Sequence, residues 1–286
     1  DWTVDTILKT IATAEPPLHA LIDAGALITG KSNRAVAKFL LENGLEWAEG
    51  CVFLDENDAQ MILMRRGPWE VIPLARVAAM PQSKRFSFYD QVHTTGIDIK
   101  QAAASRAALT LGKDMTLRDY AQGAWRMRGL GNGQTLELII TPEVSKLVAT
   151  EVAIGEGRLP QTRIAELQSM TDDEAERMRL RDVLAWLTIN TMRAENVQAG
   201  LLAEQRAANV WRKYAYRLLL ERSMTVGSHK CTDETQKCLD VFRERVTFIV
   251  QNAIPERMTA SRHLSQLCRQ YEHIIMHNEK AKEHLR

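Results

Sequence analysis

From about residue 18 to residue 145, short apolar runs alternate with amphipathic helical stretches, and this alternation narrows the choice of fold more than any other feature. LIDAGALI (21–28) is strand-like. SNRAVAKFLLENG follows, with a cap at Ser32 or Asn33, an apolar stripe through Val36, Phe39 and Leu40, and a stop at Gly44. CVFLD (51–55) is the next run, and ENDAQMILMRRG reads as a shorter helix ending at Gly67. VIPLARVAAM, FSFYDQV, RAALTL and QTLELIIT supply further strands. Strands that lie parallel need crossover connections, usually helical, so the pattern predicts an α/β fold: a parallel sheet of about five strands covered on both faces.

After Pro142 the β-branched clusters thin out and long charged helical stretches take over. Leu264, Leu267, Cys268, Tyr271, Ile274 and Ile275 share one helical face, and 181–222 carries a broader apolar pattern around Leu184, Leu187, Leu201, Val210, Trp211 and Leu218. The expected organisation is a lead-in over 1–17, the α/β lobe over 18–145 and an all-helical domain over 146–286, with breaks at GEGRLP, TVGSHKCTD and Pro255. The chain has 37 Lys and Arg against 36 Asp and Glu, so its overall field selects neither nucleic acid nor a membrane as partner. At 45% hydrophobic and 26% charged it can build a core, which excludes a disordered or collagen-like chain. Four irregularly spaced cysteines suit reduced thiols and an intracellular setting, cytoplasmic or nuclear. No run of about 18 apolar residues suggests a membrane span. The opening DWTVDTILKT has neither an initiator Met nor a signal peptide, and so reads as the start of a piece of something longer.

GALITGKS, Gly25 to Ser32, matches the phosphate-loop expression G-x-x-x-x-G-K-[ST] between a strand and a helix. In such a loop backbone amides wrap the phosphates, here Lys31 would reach the terminal phosphate, and Ser32 would hold Mg²⁺. CVFLDE, ending in Asp55 and Glu56, would then position the metal and the attacking water. Two features count against this. Leu27 and Ile28 are bulky where close backbone approach favours small residues, and only 22 residues separate Ser32 from Asp55. The competing expectation is a buried strand continuing through LIDAGALI.

The stretch from Asp90 to Gln134 is more informative. TTGIDIK (94–100) resembles motif V of superfamily-two helicases, and YAQGAWRMRG (120–129) resembles motif VI, with the strand candidate RAALTL between them. The order of elements over 18–145 is similar to that of the second RecA-like lobe, a P-loop NTPase-type fold, of that family. The resemblance implies that Gly96 and Asp98 sit at the cleft between lobes, Gln122 at the nucleotide edge, and Arg126 where the first motif VI arginine stabilises phosphate charge. Arginine suits that role because its planar fork stays ionised and binds phosphate bidentately. Arg128 stands one place before the expected second arginine, where this sequence has Gly129, and Trp125 occupies the usual glycine. The implied cofactors are ATP and Mg²⁺ shared with a preceding RecA-like lobe of the same polypeptide. A second lobe does not keep its phosphate loop at its first strand, so this resemblance and the GALITGKS match compete; order and spacing over more than 100 residues favour the helicase-like lobe.

LIDAGALITG, VFLDENDAQMILMRRG, YDQVHTTGIDIKQ, LTLGKDMTLRDYAQGAWRMRG, DVLAWLTINTMRAENVQ and NVWRKYAYR together also resemble the C-terminal conserved region of very large eukaryotic proteins often labelled ubiquitinyl hydrolase, or ubiquitin thioesterase-like. That resemblance implies thiol-protease chemistry on ubiquitin. No cysteine here stands in a protease signature, and Cys51 opens an apolar strand, so the implied role is a non-catalytic or substrate-binding module with the nucleophile elsewhere. Nucleic acid and ubiquitin both stay open as partners.

His93 precedes the Thr-Thr-Gly turn, where it could meet nucleotide, although hydrogen bonding inside a strand end is favoured. His229, Cys231 and Cys238, and likewise His263, Cys268, His273 and His277, lack the paired spacing of structural zinc sites, and no metal is expected. In WRKYAYR (211–217), Trp211, Tyr214 and Leu218 share a face away from Arg212, Lys213 and Arg217, which favours core packing with a solvated basic flank over a nucleic-acid surface.

Overall fold

A computed structural model of the protein describes residues 2–223. The chain divides into two compact units, Asp1–Thr191 and Met192–Arg286.

The first unit is an α/β structure built on a seven-stranded, mostly parallel sheet in the order β4-β3-β2-β5-β1-β6-β7. Its strands are β1 (Ala20–Ile22), β2 (Gly50–Leu54), β3 (Gln60–Met64), β4 (Val71–Pro73), β5 (Arg85–Tyr89), β6 (Arg106–Thr110) and β7 (Thr135–Ile139). β2, β5, β1, β6 and β7 run parallel, while β3 and β4 extend the sheet antiparallel beyond β2. Helices α1 (Val4–Ala12), α2 (Asn33–Glu42), α3 (Leu117–Ala124), α4 (Pro142–Gly155), α5 (Pro160–Ser169) and α6 (Asp172–Ser223) complete the described elements, α6 continuing into the second unit.

Side chains alternate across the strands, so the sheet separates two apolar cores. Ala20 and Ile22 of β1, Val52 and Leu54 of β2, and Ala107 and Leu109 of β6 join Val144, Val148, Val152, Val183 and Trp186 on one face. Leu21, Cys51, Phe53, Phe86, Phe88 and Ala108 meet Ile7, Leu8 and Ile11 of α1 and Val36, Leu40 and Leu41 of α2 on the other. Both faces are dry, which is why these strands read as continuous apolar runs.

The structure departs from the sequence reading in three places. ENDAQMILMRRG is the turn and second strand of a hairpin, not a helix. The Asp55 carboxylate accepts the amides of Asn57 and Ala59, both at 2.9 Å, and reverses the chain, after which Ile62 and Leu63 are buried on opposite faces. In VIPLARVAAM only Val71–Pro73 is strand, and a 3-10 turn takes over at Leu74–Val77. LIDAGALI leaves the sheet after Ile22, because Asp23 folds the chain back on itself. α1 supplies buried residues to one core, and α4 and the start of α6 supply them to the other, so the first compact unit takes in residues on both sides of 18–145.

In the second unit the described residues, 192–223, continue α6. Tyr214 is buried, whereas Arg212, Lys213, Tyr216 and Arg217 of the WRKYAYR stretch are exposed. The expected helical face at 264–275, the His and Cys groups from 229 onward, and the breaks at TVGSHKCTD and Pro255 lie outside the described residues.

Candidate functional site

In open α/β sheets ligands favour the carboxyl ends of the strands, at the point where neighbouring connections diverge. Here that point lies between β1, whose chain leaves toward β2, and β6, whose chain leaves toward β7. Asp23, almost fully buried, fills it. Its Oδ1 accepts the Thr110 hydroxyl at 2.7 Å and the Leu27 amide at 2.9 Å, and its Oδ2 accepts the Ile28 amide at 2.9 Å. Burial pushes the Asp23 carboxyl above its ordinary range, partly offset by these donors. Gly25 packs directly on the β6 exit: a Cβ there would lie 2.5 Å from the Gly112 nitrogen, and one on Gly112 would lie 2.6 Å from the Gly25 oxygen.

This arrangement accounts for GALITGKS. Two of the amides that a phosphate would need are already donated to a carboxylate of the chain itself. Lys31 is turned to Asp5 of α1, with Nζ 3.0 Å from Oδ1, and lies 5.3 Å from the Phe39 ring centroid. The Ser32 hydroxyl accepts the Ala35 amide at 3.2 Å as the N-cap of α2. An anion on the Leu27 and Ile28 amides would have to displace Asp23, which makes these two amides a poor fit to a nucleotide phosphate.

The segments 94–100 and 120–129 are brought together. A capping box between Thr116 and Asp119 starts α3, and Gly123 lets it approach β1 and β6, since a Cβ there would sit 3.0 Å from that of Ala24 and 3.4 Å from Leu109. Gly96 takes φ +80°, and the turn it makes presents the Ile97 carbonyl to Arg126. Arg126 is 8% exposed; its Nη1 donates to Ile97 O and its Nε to Gln122 O at 3.3 Å. Arg128 Nε lies 3.3 Å from Asp98 Oδ2, and both side chains are about half exposed. The Gln122 side chain and Trp125 are exposed, and Trp125 caps the carboxyl end of α3.

The other side of the 93–98 segment is held by the β2–β3 hairpin. Gln60 Nε2 donates to the Asp98 carbonyl at 3.1 Å, and His93 Nε2 lies 2.8 Å from Asp58 Oδ1 while its Nδ1 contacts Asp90 Oδ1. Burial would lower the His93 pKa, but the two carboxylates outweigh it and the net shift is upward. The sequence reading included His93 and missed Asp58 and Asp90. Asp90 at i−3 was visible, whereas Asp58 is 35 positions away and only the hairpin turn, in which it adopts φ +59°, brings it there.

Asp55 and Glu56 do not form a metal-holding pair: Asp55 Oδ1 is taken by the hairpin amides and the Glu56 side chain is exposed. Among the described residues no group of three or more His, Cys, Asp or Glu side chains is arranged to hold a metal ion. Cys51 is fully buried between apolar side chains, and burial drives its thiol far above its ordinary range, so it has none of the thiolate character a nucleophile needs. The other three cysteines lie outside the described residues. No described helix is long and apolar enough to cross a membrane.

The chain matches no protein-family model, no curated protein and no solved structure.

Proposed function

We propose that the first unit is a RecA-like lobe of the second-lobe helicase type, contributing motif V-like and motif VI-like elements to a nucleotide site completed by a preceding lobe. One observation carries this reading: 94–100 and 120–129, separated in sequence by β6, meet through Arg126 on the Ile97 carbonyl and Arg128 on Asp98. A motif VI resemblance without structural content would give no reason for those two segments to touch. The supporting chemistry is a pair of cations beside a glycine turn, since guanidinium groups are the side chains best suited to spread phosphate charge. Bound ATP with Mg²⁺ would supply the phosphoanhydride to be cleaved. Gly96 shapes the turn, Asp98 orients Arg128, Gln122 offers an exposed amide, and Lys31 and Ser32 serve α1 and α2 instead.

The test uses a polypeptide that includes the preceding lobe. Mg–ATP is expected to slow amide exchange across 94–98 and 126–128, and Arg126→Ala to lower turnover by about 10² to 10³, more than it weakens binding. The chain alone is expected to show no ATPase. Unchanged exchange at both segments under saturating Mg–ATP would remove the reading.

The alternative, a non-catalytic or substrate-binding module of a ubiquitin hydrolase, is supported only by the burial of Cys51, the one cysteine among the described residues. A ubiquitin probe that traps thiols should leave Cys51 unlabelled.

A further inference from the structure

His93 is 8% exposed and has a carboxylate on each ring nitrogen: Asp90, which closes β5, on Nδ1, and Asp58, at the tip of the β2–β3 hairpin, on Nε2. Among the described residues Asp90 and Asp58 are the charged groups that act on the ring. An imidazole can donate from both nitrogens only as the cation, and the neutral ring keeps one N–H and turns a lone pair on the other partner. The two carboxylates are not equivalent. Asp90 is 23% exposed and three residues away on the same turn, whereas the Asp58 side chain is 74% exposed and can be solvated by water.

We propose that Asp90, His93 and Asp58 form a proton-operated latch that ties the 93–98 turn to the β2–β3 hairpin when His93 is protonated and releases it on the Asp58 side when the ring is neutral. The hairpin then keeps one hold on the turn, Gln60 to the Asp98 carbonyl. On the opposite side Arg126 still holds Ile97 and Arg128 still holds Asp98, so release loosens one flank of the turn without unfolding the lobe. The sign follows from the upward shift of His93. The stabilisation is complete below the ordinary histidine value of about 6.5 and is lost as pH rises through the higher folded-state value. The latch stands independently of the nucleotide reading, because it concerns only contacts within the chain.

The experiment is proton NMR titration of the full chain together with amide exchange, corrected for intrinsic rates, at about pH 5.5 and about pH 8.5, on either side of the histidine range. His93 is expected to titrate above an ordinary histidine. Protection of the Asp58 and His93 amides, which donate to the Asp55 and Asp90 carbonyls on the two sides of the latch, should fall by about tenfold as it does so, the equivalent of roughly 1.4 kcal/mol. β6 should keep its protection throughout. Asp58→Asn keeps an acceptor oxygen and tolerates φ > 0, but removes the charge. In that variant the His93 midpoint should drop and protection of the amides at 58 and 93 should be low at both pH values. Asp90→Asn should lower the midpoint as well. A His93 midpoint at or below the ordinary value, protection at 58 and 93 that ignores pH, or equal loss at β6 would each overturn the latch. Loss of nucleotide protection with a working latch would overturn only the proposed function.

Discussion

Lys31 and Asp23 illustrate how a single side chain decides between two uses of one loop. Lys31 lies on a partly exposed ion pair with Asp5 and near the Phe39 ring, contacts worth at most about 1 kcal/mol at a solvated position. Lys31→Ala should therefore lower stability by no more than about 1 kcal/mol and leave ATP affinity unchanged, as measured by denaturant titration and calorimetry. Tight ATP binding lost in that variant would restore GALITGKS as a phosphate loop. Asp23 has the opposite character. Asp23→Ala would leave the Leu27 and Ile28 amides and the Thr110 hydroxyl without their acceptor in a site closed by Gly25 and Gly112. An unsatisfied buried donor costs about 1 to 3 kcal/mol, so a loss of about 3 kcal/mol or more is expected in the same titration. A change below about 0.5 kcal/mol, the scale of an ordinary surface substitution, would show that the loop is held by something else.

The elements that were legible in the sequence are those whose pattern has one physical cause. β2, β5 and β6 are buried on both faces of the sheet, β7 alternates at its edge with Thr135 and Glu137 exposed, and α2 carries its own cap at Ser32 and a periodic stripe through Val36 and Leu40. The hairpin was not legible, because Met61 to Met64 is a contiguous apolar run that fits a strand or a buried helix equally well, and the deciding signal is the carboxylate of Asp55. The proximity of 94–100 to 120–129 could be anticipated from motif order, but the contact of His93 with Asp58 could not, since it depends on the hairpin turn, whose apolar flank fits a helix equally well. Asp55→Ala should cost about 1 to 2 kcal/mol by unmaking the turn, and Asp55→Asn, which keeps one acceptor oxygen, should cost less, both read from unfolding midpoints. An ion pair ties α5 to α6. The Arg163 guanidinium pairs with Asp182 through two contacts, Nε at 3.0 Å from Oδ2 and Nη2 on Oδ1, with the carboxylate 3% exposed. Asp182→Ala leaves Arg163 only its longer contacts to Glu166 and Glu156 and should cost about 3 kcal/mol, whereas Glu166→Ala, on the solvated side of the same network, should cost much less.

At the scale of the molecule, the extent of the first unit follows from which surfaces the sheet must cover. One core is closed by α1 and α2. The other is closed by Val144, Val148 and Val152 of α4 and by Val183, Trp186 and Leu187 of α6, with the Asn190 amide reaching the Met115 carbonyl at 3.0 Å and the Thr191 hydroxyl accepting the Leu117 amide at 2.9 Å. Sequence character changes at Pro142, but burial does not, because a charged helix can still lay one apolar stripe on a sheet. A chain ending at Ile140 would expose the face that Trp186 covers, and burying even one large side chain is worth about 2 to 3 kcal/mol against a total stability of only about 5 to 15 kcal/mol. Such a chain should bind a hydrophobic dye and lose cooperative unfolding. A chain ending after Thr191 keeps both faces closed and should unfold in one sharp transition, followed by circular dichroism against denaturant. A cooperative fold from 1–140, or a molten one from 1–191, would mean that the sheet draws its stability from residues other than the ones closing these two cores.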